Sequence, residues 1–215
     1  MQEPMRRQGP IAKAWKIAWA DRKFRRLTLI GSIALLAILS SLPFFFSYVE
    51  LRHGVVLNDR LLQLIPAKDV SIPTFIIIWS MTLLLWYRCI QDPSIFIVFL
   101  VSFIILLITR VISMTFVALD PPPGLIPLKD PLSSIFYGGT DVFITKDLFY
   151  SGHTSIQLLM FFTFRHKIDK ACAFVSTLSI ALLVLIQHVH YTIDVVAALI
   201  FSYFIYLAGK KITGY

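Results

Sequence analysis

"IFIVFLVSFIILLITRVISMTFVALDPPPG", residues 95–124, carries a single charge, Arg110, before Asp120 and then stops at three consecutive prolines. A helix needs about 20 apolar residues to cross the hydrocarbon core of a bilayer, and proline cannot continue one. The stretch therefore reads as a membrane span over about 94–118. Comparable runs lie at about 27–47, 72–90, 171–189 and 192–208, with a shorter one at about 154–169. The predicted fold is all-α: a polytopic membrane protein with six transmembrane helices. The composition agrees, at 57% hydrophobic, 15% charged and a mean hydropathy of +0.77, where soluble domains carry about 25% charged residues.

Charge sets the expected orientation. With both termini cytoplasmic, 14 of the 20 Lys and Arg fall on the inner side, eight of them before Leu27, as the positive-inside rule requires. The formal net charge of +8 is then explained by anchorage to anionic lipid, with no need of nucleic acid. Residues 1–26 are expected to be a basic amphipathic cytoplasmic segment, and 27–215 a six-span catalytic domain. Within the first, Ile11, Ala14, Trp15, Ala18 and Trp19 share a helical face, the pattern of an interfacial amphipathic helix. Cys89 and Cys172 fall at inner ends of spans and read as packing residues, since disulfides are rare on that side.

Three polar groups are predicted to converge on the outer side: His153 opening the fourth span, His190 closing the fifth, and Asp194. Residues i and i+4 share a helix face, so Asp194 can orient one ring nitrogen of His190 and leave the other as nucleophile or base. Ser151 is a favoured N-cap and Gly152 admits close backbone approach. The free N–H groups of that helix start suit a phosphate. His153 stands ready there to protonate a leaving oxygen. Only 12 residues separate it from Arg165, about 18 Å of helix, which recesses it below the outer headgroups and favours a lipid substrate. Arg110 needs a partner inside the membrane, either a phosphate oxygen or a loop aspartate. His53, His166 and His188 read as incidental, His188 facing away from His190 on a helix. No metal-binding spacing such as His-Glu-x-x-His is present, and no cofactor is expected.

At these residues the chain resembles the sphingomyelin synthases, within the wider superfamily of type 2 phosphatidic acid phosphatases. "DLFYSGHT" (147–154) and "HYTIDVV" (190–196) are similar to that family's two catalytic motifs. "RVISMTFVALDPPPG" (110–124) resembles its third-span motif, and Gly138-Gly139 falls where the family has glycines. The resemblance covers residue 50 to the end. It implies six spans and an outward-facing site with His190 as nucleophile, Asp194 as its orienting carboxylate and His153 as proton donor. Arg110, Ser151, Gly152 and Asp147 would bind the substrate. The implied reaction moves a phosphorylated headgroup from a glycerophospholipid donor to ceramide or a similar lipid alcohol acceptor. The Lys-x6-Arg-Pro motif of the broader superfamily is missing, Leu183-Val184 stand where that superfamily has Ser-Arg, and the synthases' Leu-Pro-Asp appears as Leu57-Asn58-Asp59. No glutamate follows Glu50, so a further loop carboxylate must be Asp120, Asp130, Asp141 or Asp147. Hydrolysis of a lipid phosphate by the same residues, and a non-catalytic lipid-binding scaffold, are the competing readings.

Overall fold

The computed structural model describes residues 9–128 and 144–215. Its helices are α1 (Pro10–Ala20), α2 (Arg22–Leu51), α3 (Arg60–Gln63), α4 (Ser71–Gln91), α5 (Pro93–Phe116), α6 (Gly152–Thr163), α7 (Lys167–Ile186) and α8 (Thr192–Thr213). Among the described residues the sole β feature is a parallel bridge between Val55 and Leu119. Among the described residues five helices, α2, α4, α5, α7 and α8, are long and apolar enough to cross a membrane. The predicted sixth run, 154–169, is not one helix. It breaks at Phe164–His166, and Asp169 and Lys170 belong to α7. What remains is α6, with 12 residues, about 18 Å long.

Sequence explains the breaks. Asp21 caps α2 by accepting from the Lys23 N–H at 2.9 Å, so the helical boundary falls at Asp21, and residues 22–26 are the first turns of a 30-residue helix. Asp92 caps α5 through the Ser94 N–H and hydroxyl, with Pro93 at the first position, where its missing N–H costs nothing. α5 ends at Phe116, five residues ahead of the first proline, Pro121.

α5 is the hub. Half of its most apolar window is buried inside the protein, against 17% for α2. Leu106, Leu107 and Met114 of α5 pack with Leu42 and Phe46 of α2, Leu159 of α6, and Ala197, Ala198 and Ile205 of α8. A second cluster joins Met81 and Leu85 of α4 to Met160 and Phe164 beside Ala173 of α7. Lipid is as apolar as leucine, so such helices associate through close packing and polar ties. Ser176 of α7 donates to Gln157 of α6 at 3.0 Å, and Arg88 of α4 pairs with Asp169 of α7 at 2.7 Å.

α1 departs from the predicted lipid-facing pattern. Ala18 is buried, and Trp15 lies against Phe24 and Phe96. The Trp15 indole donates to the Ile90 carbonyl at 2.7 Å, so these two turn onto the protein while Ile11, Ile17 and Trp19 remain exposed. Cys89 is half-buried but Cys172 is exposed, so only the first fits a packing role.

Candidate active site

The N-terminus of α6 meets the first turn of α8. Ser151 is the N-cap of α6, its hydroxyl oxygen accepting from the Thr154 N–H, and it is fully buried. Its own N–H donates to the Asp194 carbonyl at 3.2 Å, which sets the start of α6 about one turn into α8. Gly152 occupies the first helical position because nothing larger fits: a Cβ there would lie 2.5 Å from Nη1 and 2.7 Å from Cζ of Arg110.

His190 lies in the turn between α7 and α8, not at the end of a span, because α7 stops at Ile186. Its pairing with Asp194 therefore has a different origin from a shared helix face. Asp194 sits at the third position of α8, and its Oδ2 accepts the Tyr191 N–H at 3.0 Å. That fold-back brings Oδ2 to 3.4 Å from Nδ1 of His190. The contact is longer than a well-formed hydrogen bond. Asp194 is fully buried and its Oδ1 has no hydrogen-bond partner among the described residues.

His153, at the second position of α6, faces His190 with ring centroids 6.3 Å apart and planes at 64°. Beside them Arg110, only 7% exposed, donates through Nε to the Tyr150 carbonyl at 3.0 Å and pairs through Nη2 with Asp147. The loop aspartate thus supplies the partner that Arg110 requires. Arg110 lies against Gly152, at the start of α6, so the guanidinium and the two imidazoles gather around one helix N-terminus, where N–H groups favour an anion.

Several residues support the site through contacts that the sequence did not reveal. Asp59 accepts from the Thr192 N–H at 2.6 Å and hydroxyl at 3.1 Å, and from the Leu62 N–H at 3.0 Å, so one carboxylate caps α3 and fixes the first residue of α8. Partial burial pushes its pKa up, but those donors outweigh it and the net shift is downward. Tyr191, fully buried, donates its hydroxyl to the Asp120 carbonyl at 2.8 Å and accepts from the Leu57 N–H. Burial pushes its phenol up, which keeps that proton in place. Asp120 pairs with Lys146 at 2.9 Å, whose hydrogen bond holds its pKa below the ordinary range. Glu50 accepts the N–H groups of Thr145 and Lys146, tying the end of α2 to the strand of chain leading into Ser151. His188 is not incidental and not helical: at φ 55° it places Nδ1 2.9 Å from the Pro123 carbonyl and Nε2 2.8 Å from that of Ile65, clasping both outer segments. Gly138-Gly139, Asp130 and Asp141 lie outside the described residues.

Residues 146–211 match the PAP2 superfamily C-terminal family. This supports membership of the PAP2 superfamily. The match begins at Lys146, one residue before Asp147, and contains His153, His190 and Asp194, so the paired imidazoles fall inside the PAP2 segment. With five apolar helices, it supports an integral membrane protein and phosphatase- or phosphotransferase-type lipid chemistry. No curated protein and no solved structure matches the chain.

Proposed function

We propose that the chain is a membrane lipid phosphotransferase that moves a phosphorylated headgroup from a glycerophospholipid to ceramide or a similar lipid alcohol, as a sphingomyelin synthase-like member of its superfamily. The facing of His153 and His190 across 6.3 Å carries this reading. Asp194 orients His190, whose Nε2 attacks the donor phosphorus and forms a phosphorus–nitrogen bond. The bond from phosphorus to the diacylglycerol oxygen breaks, and that oxygen takes a proton from the His153 imidazolium. The acceptor hydroxyl then gives its proton to neutral His153 and attacks phosphorus, releasing His190. Arg110 and the α6 amides stabilise the equatorial oxygens, where charge accumulates. Ser151 and Gly152 hold the helix start against that anion, and Asp147 fixes the guanidinium. The site would open on the non-cytoplasmic face, with both termini cytoplasmic.

The same constellation serves hydrolysis when water replaces the alcohol. Purified protein in nanodiscs with headgroup-labelled donor, with and without ceramide, separates the two. A new phospholipid that requires ceramide supports transfer. Water-soluble phosphorylated headgroup released at the same rate with or without acceptor would reject it in favour of hydrolysis.

A further inference from the structure

At the end of the bundle opposite His153 and His190, a groove of about 460 Å³ runs between α2 and α5. Residues 23, 26, 27, 30, 31 and 34 of α2 line it on one helical stripe, with Val101 and Ile104 of α5 on the other wall. Its two ends differ in chemistry. The mouth carries Lys23 and Arg26, both exposed, and neither makes an ion pair among the described residues. The Lys23 ammonium also lies beside Gly214, at the end of α8 that carries Lys210 and Lys211. Asp21, the sole acidic residue between Pro4 and Val49, is engaged with the N–H of Lys23. Beyond the mouth the walls are apolar, through Leu27 and Ile30 as far as Ala34, while Gly31 lets α2 close against Leu100 and Ile104 of α5 at the floor of the groove.

The length is informative. From Lys23 to Ala34 is 11 residues, roughly 16 Å of helix, about half of a ~30 Å hydrocarbon core. The groove is thus one leaflet deep, with paired cations at headgroup height. We propose that it is a binding site for one anionic phospholipid, the phosphate on Lys23 and Arg26 and an acyl chain along Gly31 and Ala34. A second copy of this chain in the same membrane orientation would bring the same basic mouth, so charge disfavours it as the occupant. The site stands apart from the proposed chemistry: Thr192, two residues after His190, and Lys210 are 18 residues apart along α8, about 27 Å.

The full chain in detergent, titrated with phosphatidylglycerol or phosphatidylcholine, tests this by native mass spectrometry, with thermal melts alongside. One phosphatidylglycerol should be retained per chain in preference to phosphatidylcholine by roughly 30-fold at low salt, from two cations at a membrane surface. The double variant Lys23→Gln/Arg26→Gln, altered only at exposed positions, should bind the two lipids within a few-fold of each other. Ala34→Trp, which fills the groove, should lose retention of either. Equal retention of both lipids by the unaltered chain would make the groove ordinary bilayer surface and overturn the proposal. So would a charge variant with undiminished preference, or a dimer that Ala34→Trp dissolves.

Discussion

Gly152→Ala is the sharpest perturbation of the site. On helix propensity alone the change should stabilise α6, by up to about 1 kcal/mol. The structure predicts the opposite for function, because the new methyl would lie 2.5 Å from Nη1 of Arg110, about 1 Å inside ordinary van der Waals contact. The guanidinium is held on two other sides by the Tyr150 carbonyl and Asp147, so it must swing away from α6 and from a bound phosphate. Loss of one charge-assisted hydrogen bond to the transferring group costs about 1.5–3 kcal/mol, or roughly 10- to 150-fold in kcat/KM. Turnover of a fluorescent donor lipid in nanodiscs, with a melt to confirm folding, measures it. The substitution made in an Arg110→Gln background should add less than about threefold, since both act through one side chain. Wild-type turnover in Gly152→Ala, or an equal loss in the Arg110→Gln background, would refute the packing argument.

Asp194→Asn should lower kcat by roughly 10⁴-fold, by analogy with loss of the carboxylate that orients a catalytic histidine, while leaving expression and insertion intact; a rate within tenfold of wild type argues against it. His153→Gln should cost about 10²–10⁴-fold, the range for a proton donor, and much less with a donor whose leaving group needs no protonation. Asp59 has its pKa lowered from 3.8, so its stabilising contribution is present above about pH 3.8 and is lost as pH falls through the lower folded value. Asp59→Asn should therefore melt earlier at pH 7 yet lose less between pH 4 and pH 2 than the parent, in melts taken across that range. Asp169→Ala leaves Arg88 without its 2.7 Å partner; with Asp169 buried but Arg88 partly exposed, a loss of about 1–3 kcal/mol, below the 3–5 typical of a fully buried pair, should appear as a lower Tm.

Much of this molecule is legible from residue pattern because its governing signals are local. The apolar runs of 72–90 and 94–118 fall within two residues of α4 and α5, since bilayer thickness and proline leave little freedom. Ser151 reads as an N-cap from type and position. The meeting of His190 and Asp194 was expected, but through a shared helix face; it arises from Asp194 folding back on the Tyr191 N–H, because α7 ends earlier than hydropathy implies. Hydropathy also carried the shorter run to 169, past the break at Phe164–His166 and three residues into α7. The structural roles of Asp59, Tyr191 and His188 were not legible for another reason. Their partners lie 133, 71 and 123 residues away along the chain, and only the assembled bundle brings such pairs together. At α1 the expected face divides: Trp15 and Ala18 pack on protein, while Ile11 and Trp19 stay exposed.

The most direct test of the central proposal is chemical. Rapid acid-free quenching of the enzyme with phosphate-labelled donor and no acceptor, followed by peptide mapping, should find label in the peptide containing His190, stable to base and lost in acid. His190→Ala should carry none, and His153→Gln should accumulate less per unit time. Turnover without any labelled peptide, or label persisting in His190→Ala, would contradict a covalent intermediate at His190.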